Sequence, residues 1–151
     1  GFGMLLLVLS SVIRRKPMRQ TRGFLGALNK NVEAVERSTI QVENCKGPMT
    51  LIVGDDDGLW PSQEYADRIA GRLKELDWPG TVRVECVPGA GHFVGFPYAL
   101  PTLPPMRILK PASALAFDFG GSVAANADAA RRVWRIVQEE LSQWSGIVSR
   151  R

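Results

Sequence analysis

The sequence predicts an α/β fold built on a small parallel sheet, and three observations carry that prediction. Two β-rich apolar runs, residues 49–53 and 81–87, are separated by a segment of helical period. The second run leads, through a longer connection, to an extended amphipathic helix near the C-terminus. Glycine punctuates the end of each run, Gly54 after the first and Gly89-Ala90-Gly91 after the second. Strand, helix, strand, loop, helix in that order implies parallel pairing with right-handed crossovers. Two parallel strands cannot bury both of their faces, so the fold reads as incomplete.

Taken in order, residues 4–13 form an apolar run broken by Ser10 and Ser11, expected as a strand or core helix of a larger domain. The run is too short to span a bilayer, which takes about 20 residues. A signal peptide carries its positive charge ahead of the apolar stretch, and here the order is reversed. Phe24, Ala27 and Leu28 then recur at helical spacing, while residues 38–42 look extended. Residues 49–53 are apolar on both faces, as a buried parallel strand should be. Ser62 is placed to cap the next helix, with Glu64 in its first turn. Tyr65, Ile69, Leu73 and Leu76 form one apolar stripe on it, and Pro79-Gly80 stops it. In the second strand Val82, Val84 and Cys86 alternate with Arg83 and Glu85, which predicts one wetter face. Residues 93–121 carry five prolines among many apolar residues without a clear period, and read either as a long loop, functional or wrapped over the sheet edge, or as elements the pattern conceals. In the last helix the stripe is Ala127, Ala130, Trp134, Val137, Leu141 and Trp144, expected to dock on the sheet.

Composition limits what such a domain can be. The chain has 151 residues, 45% hydrophobic and 23% charged, which excludes collagen-like, disordered and disulfide-stapled classes. Cys45 and Cys86 can form one bridge at most, so the chain reads as reduced and intracellular, with both cysteines as small core residues. The net charge of +4 is not spread evenly. Arg14, Arg15, Lys16, Arg19 and Arg22 fall in residues 1–22, which hold no acid, and residues 23–151 carry 14 basic and 15 acidic side chains. The body is neutral and the basic stretch at 14–22 lacks aromatics for base stacking, which argues against nucleic acid. The chain begins Gly1-Phe2-Gly3 rather than with methionine, which suggests processing or a piece of something longer. Residues 1–22 therefore read as an apolar and basic segment separate from the domain at 23–151.

The sequence offers one constellation for chemistry. An acidic loop, Asp55-Asp56-Asp57-Gly58, follows the first strand, and His92, the single histidine, follows the second. In parallel sheets the loops at the strands' carboxyl ends line the active crevice. A carboxylate beside a histidine fixes the ring's tautomer and stabilises the imidazolium formed when the ring takes a nucleophile's proton. Asp57 and Asp56 both stand as candidates for the acid, with Trp60 and Phe93 beside the site. One histidine excludes a multi-histidine metal site, and no calcium loop fits because the aspartates lack alternate spacing and a closing glutamate. Dinucleotide-fold and P-loop motifs are absent, so no cofactor is expected.

The segments Gly54-Asp55-Asp56-Asp57-Gly58-Leu59-Trp60-Pro61-Ser62, Tyr65-Ala66 and Pro88-Gly89-Ala90-Gly91-His92 resemble the C-terminal catalytic domain of acyl-CoA thioesterases and bile acid-CoA:amino acid N-acyltransferases. Cys45-Lys46-Gly47-Pro48, Pro97-Tyr98 and the Gly120-Gly121 segment before the last helix extend the resemblance, which runs from about Ser38 to Trp144. It implies the C-terminal part of an α/β-hydrolase fold, with Asp57 as triad acid and His92 as triad base. Asp57 is preferred over Asp56 because Gly54 and Pro61 bracket it at the family's spacing.

In α/β-hydrolases the nucleophile precedes both, on a Gly-x-Ser-x-Gly elbow or a cysteine variant. No serine or cysteine of this sequence has glycines at that spacing. The resemblance thus implies hydrolysis of an acyl-CoA thioester by a triad whose nucleophile lies outside these residues, with coenzyme A as part of the substrate. Alternatives are transfer of the acyl group to an amino acid, an inert fragment of the fold, or another α/β-hydrolase such as a carboxylesterase. The compartment is left open among cytosol, mitochondrion and peroxisome, and neither nucleic-acid binding nor stable membrane insertion is expected.

Overall fold

A computed structural model of the chain describes residues 2–14, 16–94, 108–112 and 115–145. Helix α1 spans Phe2–Arg14, α2 Thr21–Lys30 and α3 Val32–Ser38. Strand β1 (Met49–Gly54), helix α4 (Ser62–Glu75) and strand β2 (Val82–Val87) form the central β-α-β unit. Strands β3 (Ile108–Ala112) and β4 (Leu115–Asp118) follow, and helix α5 spans Val123–Ser145. The arrangement is α/β, as the sequence predicts.

β1 and β2 pair in parallel, with Met49 opposite Val82 and Gly54 opposite Val87. This register brings both strands to their carboxyl ends at one level, so the loops that follow them lie side by side. α4 packs on both strands through Ala66 and Leu73, which are buried. α5 supplies Ala129 and Val133 to a cluster with Val87 and Ala90, flanked by Ile52, Val94 and Val137. The core thus sits at the end of the sheet that carries the candidate site.

Several local expectations are corrected. The run 4–13 is a helix, but Leu5, Leu6, Leu9, Val12 and Ile13 are exposed rather than buried in a core. Residues 38–42 contain no strand: Ser38 ends α3, and a 3₁₀ turn begins at Val42. β1 is half-buried along residues 49–53, because β2 is its one strand neighbour among the described residues. In β2 it is Val84 that is exposed, whereas Arg83 and Glu85 reach α5. Arg83 pairs with Glu140 at 3.3 Å and Glu85 with Arg132 at 3.2 Å. The charged face is the covered one, with ion pairs to α5 beside the apolar contact of Val87 with Ala129 and Val133. Cys45 is an exposed free thiol, not a core residue, while Cys86 is half-buried.

α4 ends at Glu75, earlier than Pro79-Gly80, where Asp77 turns the chain through a left-handed conformation (φ 46°). Leu76 consequently falls outside the helix and is exposed. On α5 the buried face is Asn126, Ala129, Val133 and Ile136. That is one residue out of phase with the expected stripe, and Leu141 and Trp144 face outward. A polar residue, Asn126, sets the phase, so apolar periodicity alone misplaces the contact.

The proline-rich segment holds structure that its sequence conceals. β3 and β4 pair antiparallel, with a register irregularity between Leu109 and Ala112. Pro111 lies within that interval, where a residue without an amide hydrogen breaks no regular ladder. The remaining prolines of the segment and Pro97-Tyr98 lie outside the described residues. β4 also bonds to the chain ahead of α2: Met18 pairs with Phe117, donating to the Ala116 carbonyl at 2.8 Å and accepting from the Asp118 amide at 2.9 Å. Met18 is buried, so residues just after α1 pack into the body of the chain.

Candidate acid–histidine site

β1 stops at Gly54, and its loop continues the hydrogen-bonding pattern of the sheet. The Asp56 amide donates to the Ala90 carbonyl at 3.0 Å, and the Gly58 amide to Phe119 at 3.1 Å. The His92 amide donates to the same Phe119 carbonyl at 2.8 Å. Three loops are therefore stitched together by backbone: the one after β1, the one after β2, and the one between β4 and α5. The fit is close enough to demand glycine. A methyl group at Gly91 would run into the Gly120 carbonyl, and Gly120 itself has φ +82° with the Asp56 carbonyl against its α-carbon.

The three consecutive aspartates go to three different partners. Asp55 Oδ1 accepts the Gly89 amide at 2.6 Å. Asp56 pairs with Arg19 at 2.7 Å through Oδ1 and accepts the Gly121 amide at 2.8 Å through Oδ2. Asp57 turns inward and faces His92, its Oδ2 3.0 Å from Nδ1. Asp56, the competing candidate, is thus committed to Arg19 and Gly121.

Asp57 is 7% exposed and its carboxylate is fully engaged. Oδ1 accepts the amides of Leu59 at 2.7 Å and Trp60 at 3.0 Å, the local loop folding back on its own side chain. Oδ2 accepts the Ser62 hydroxyl as well as His92. Burial pushes the Asp57 carboxyl upward, but hydrogen bonds from His92, Ser62, Trp60 and Leu59 outweigh it and hold it below the usual carboxylate range. An ionised carboxylate only accepts, so His92 must donate through Nδ1, which leaves the lone pair on Nε2. Asp56 is likewise held low: burial opposes this, and the Arg19 guanidinium and Gly121 amide prevail.

The ring of His92 is held on its faces and edges by aromatics. Trp60 meets it edge-on at 4.8 Å between centroids, Phe93 at 5.3 Å, and Phe119 stacks at 6.0 Å. Trp60 and Phe93 lie beside the histidine as expected from sequence, and Phe119 joins them from the loop after β4. Other contributors escape sequence reading. Asn126, 1% exposed on α5, accepts the Gly91 amide at 2.8 Å and so fixes the residue before the histidine. Arg19 and Thr21 approach from the N-terminal segment, Thr21 donating to the Asp57 carbonyl at 2.8 Å. Ser62 does not cap α4: Pro61 occupies the N-cap position, and the hydroxyl serves Asp57 instead. The only foresight available for Asn126 was its place after Gly120-Gly121, where a polar residue interrupts the apolar face of a helix.

Among the described residues, no group of three or more His, Cys, Asp or Glu is gathered as a metal site requires. A groove of about 710 Å³ lies along α5 and the end of β2, lined among others by Pro88, Arg132 and Arg135; neither Asp57 nor His92 lines it. No helix among the described residues is long and apolar enough to cross a membrane.

A parallel sheet whose adjacent carboxyl-end loops present a buried acid and a histidine is an α/β-hydrolase-type arrangement. The chain belongs to the BAAT / acyl-CoA thioester hydrolase C-terminal family, whose model matches residues 15–145. Acyl-coenzyme A thioesterase 2, mitochondrial, of Mus musculus is 33% identical over 103 residues, covering 68% of this chain and 22% of that protein. Acyl-coenzyme A amino acid N-acyltransferase 1 of Mus musculus is 31% identical over 113 residues, 74% of this chain and 24% of that protein. A peroxisomal succinyl-coenzyme A thioesterase of Mus musculus is 32% identical over 102 residues, 65% and 22% respectively. The chain spans less than a quarter of the length of these relatives.

Proposed function

We propose that the chain supplies the acid and the base of an acyl-CoA thioester hydrolase, with Asp57 orienting His92 and His92 acting through Nε2. The observation that carries this reading is the 3.0 Å contact between Asp57 Oδ2 and His92 Nδ1, with the other candidate acid occupied elsewhere. A serine or cysteine from outside these 151 residues attacks the thioester carbonyl and gives its proton to Nε2. The tetrahedral intermediate collapses, the C–S bond breaks, and coenzyme A leaves as a thiol with that proton. Water, deprotonated by the same nitrogen, then releases the fatty acid and restores the nucleophile. The substrate is an acyl-CoA, no resident cofactor takes part, and the reaction is placed inside the cell. Transfer of the acyl group to an amino acid uses the same pair with an amine in place of water, and the similarity to an N-acyltransferase keeps that reading open.

The test is a chimera in which residues 15–145 replace the matching segment of the Mus musculus mitochondrial thioesterase. Release of coenzyme A from a long-chain acyl-CoA should be measurable and should fall by about three orders of magnitude or more with His92→Ala. A folded chimera that is inactive, or one indifferent to His92→Ala, would overturn the proposal. The unfused chain should release no coenzyme A by a histidine-dependent route.

A further inference from the structure

Ser62 is the first residue of α4, one position past the N-cap Pro61, so its hydroxyl is not engaged in capping the helix. It donates to Asp57 Oδ2, the same oxygen that receives the His92 ring. The two amide bonds to Oδ1 come from the backbone of the loop itself and depend on no side chain at positions 59 and 60, proline excepted. The Oδ2 side is different, because both of its donors are side chains. Asp57 thus has one oxygen fixed by the local loop and one shared between the histidine and a serine from the next helix.

We propose that Ser62 is a positioning residue of the acid–base pair: by holding the second lone pair of Asp57 Oδ2, it sets the carboxylate's rotation and tempers the charge that His92 meets. Without that donor the whole charge of Oδ2 falls on the Nδ1–H, the imidazolium is favoured, and the neutral ring that accepts a proton is less populated near pH 7. The charged groups around the ring are accounted for. Asp56 stands on the loop after β1 and Asp118 at the end of β4, Asp56 is paired with Arg19, and the ring's remaining neighbours among the described residues, Trp60, Phe93 and Phe119, are uncharged. Asp57 is the one carboxylate in contact with the ring among the described residues, so a change at Ser62 reaches His92 through Asp57.

The proposal rests on the pairing of Asp57 with His92, and its test needs no turnover. His92 is the only histidine, so the chain gives a single imidazole resonance whose titration can be followed by NMR without assignment. Ser62→Ala should raise the ring's pKa by about half a unit or more, while Ser62→Thr, which keeps the hydroxyl, should leave it near the wild-type value. If Ser62→Ala does not fold, Ser62→Val read against its isostere Ser62→Thr gives the same comparison. An unmoved ring pKa in a folded variant lacking the hydroxyl overturns the role of Ser62 and leaves the catalytic reading intact. Failure of the His92→Ala chimera test overturns the catalytic reading and leaves this titration intact.

Discussion

Asn126 accepts the backbone amide of Gly91 at 2.8 Å, from a helix 35 residues further along the chain. The bond is buried and seats α5 against the residue that precedes the histidine. Its Nδ2 also reaches toward the Gly120 carbonyl at 3.4 Å, so one side chain bridges two of the loops that build the site. Replacing it with alanine leaves the Gly91 amide buried without a partner. Asn126→Ala should cost about 1–3 kcal/mol of unfolding free energy, measured by urea denaturation. Asn126→Asp should not restore it fully, since a carboxylate cannot donate to Gly120.

The two adjacent aspartates should separate in function. In the active chimera Asp57→Asn should lower kcat by about 10⁴-fold, because an amide can hold the ring in the wrong tautomer. Asp56→Asn should leave most of the activity, since Asp56 bonds Arg19 and Gly121 rather than the histidine. Steady-state rates with a long-chain acyl-CoA check both. Equal losses would place the acid elsewhere.

Acid should destabilise the chain in a defined window. Asp57 and Asp56 have carboxyls held below their usual value, so their contribution is present above an unfolded pKa of about 3.9 and lost as pH falls through the folded one. Glu43 acts in the same direction. Its fork of hydrogen bonds with Arg72, and then that with its own backbone, lower its carboxyl from 4.5 to about 2. The urea midpoint should therefore fall as pH drops from about 5 toward 2. Glu43→Gln should flatten that slope and Asp57→Asn should flatten it further, both read from midpoints across pH.

The glycine pair before α5 should tolerate no side chain. Gly120 and Gly121 have φ of +82° and +68°, and a methyl on Gly121 would strike the Asn126 side chain and the Gly91 amide. Gly121→Ala should lose about 1–2 kcal/mol from the left-handed backbone alone, with the clash adding to it. A thermal melt checks the loss.

The legible parts of this fold were those with a local signature. α4, β2 and α5 each carry a period, β1 a short apolar run closed by Gly54, and those depend only on residues a few positions apart. The β3–β4 pair carries neither, because Pro111 falls inside a strand and its irregular register hides the alternation. In the run at 4–13 the polar residues, Ser10 and Ser11, are adjacent and mark no face, so strand and helix could not be told apart until the backbone was seen. On α5 the apolar count pointed to the Trp134 and Leu141 stripe, while the buried face is the neighbouring one around Asn126.

By itself the sequence determined the order acid, helix, histidine, and with it the resemblance to the family the chain belongs to. It placed Asp57 and His92 as a candidate pair because strand ends and glycines are written locally. The family's spacing favoured Asp57, and the tertiary structure brings that aspartate to the ring and sends the other two elsewhere. That choice is made by Gly89, Arg19 and Gly121, partners brought from 34, 37 and 65 residues away. It also decided that Ser62 bonds the acid instead of capping its helix. Such assignments are long-range hydrogen bonds, each satisfying a buried or half-buried polar group, and no local pattern encodes them.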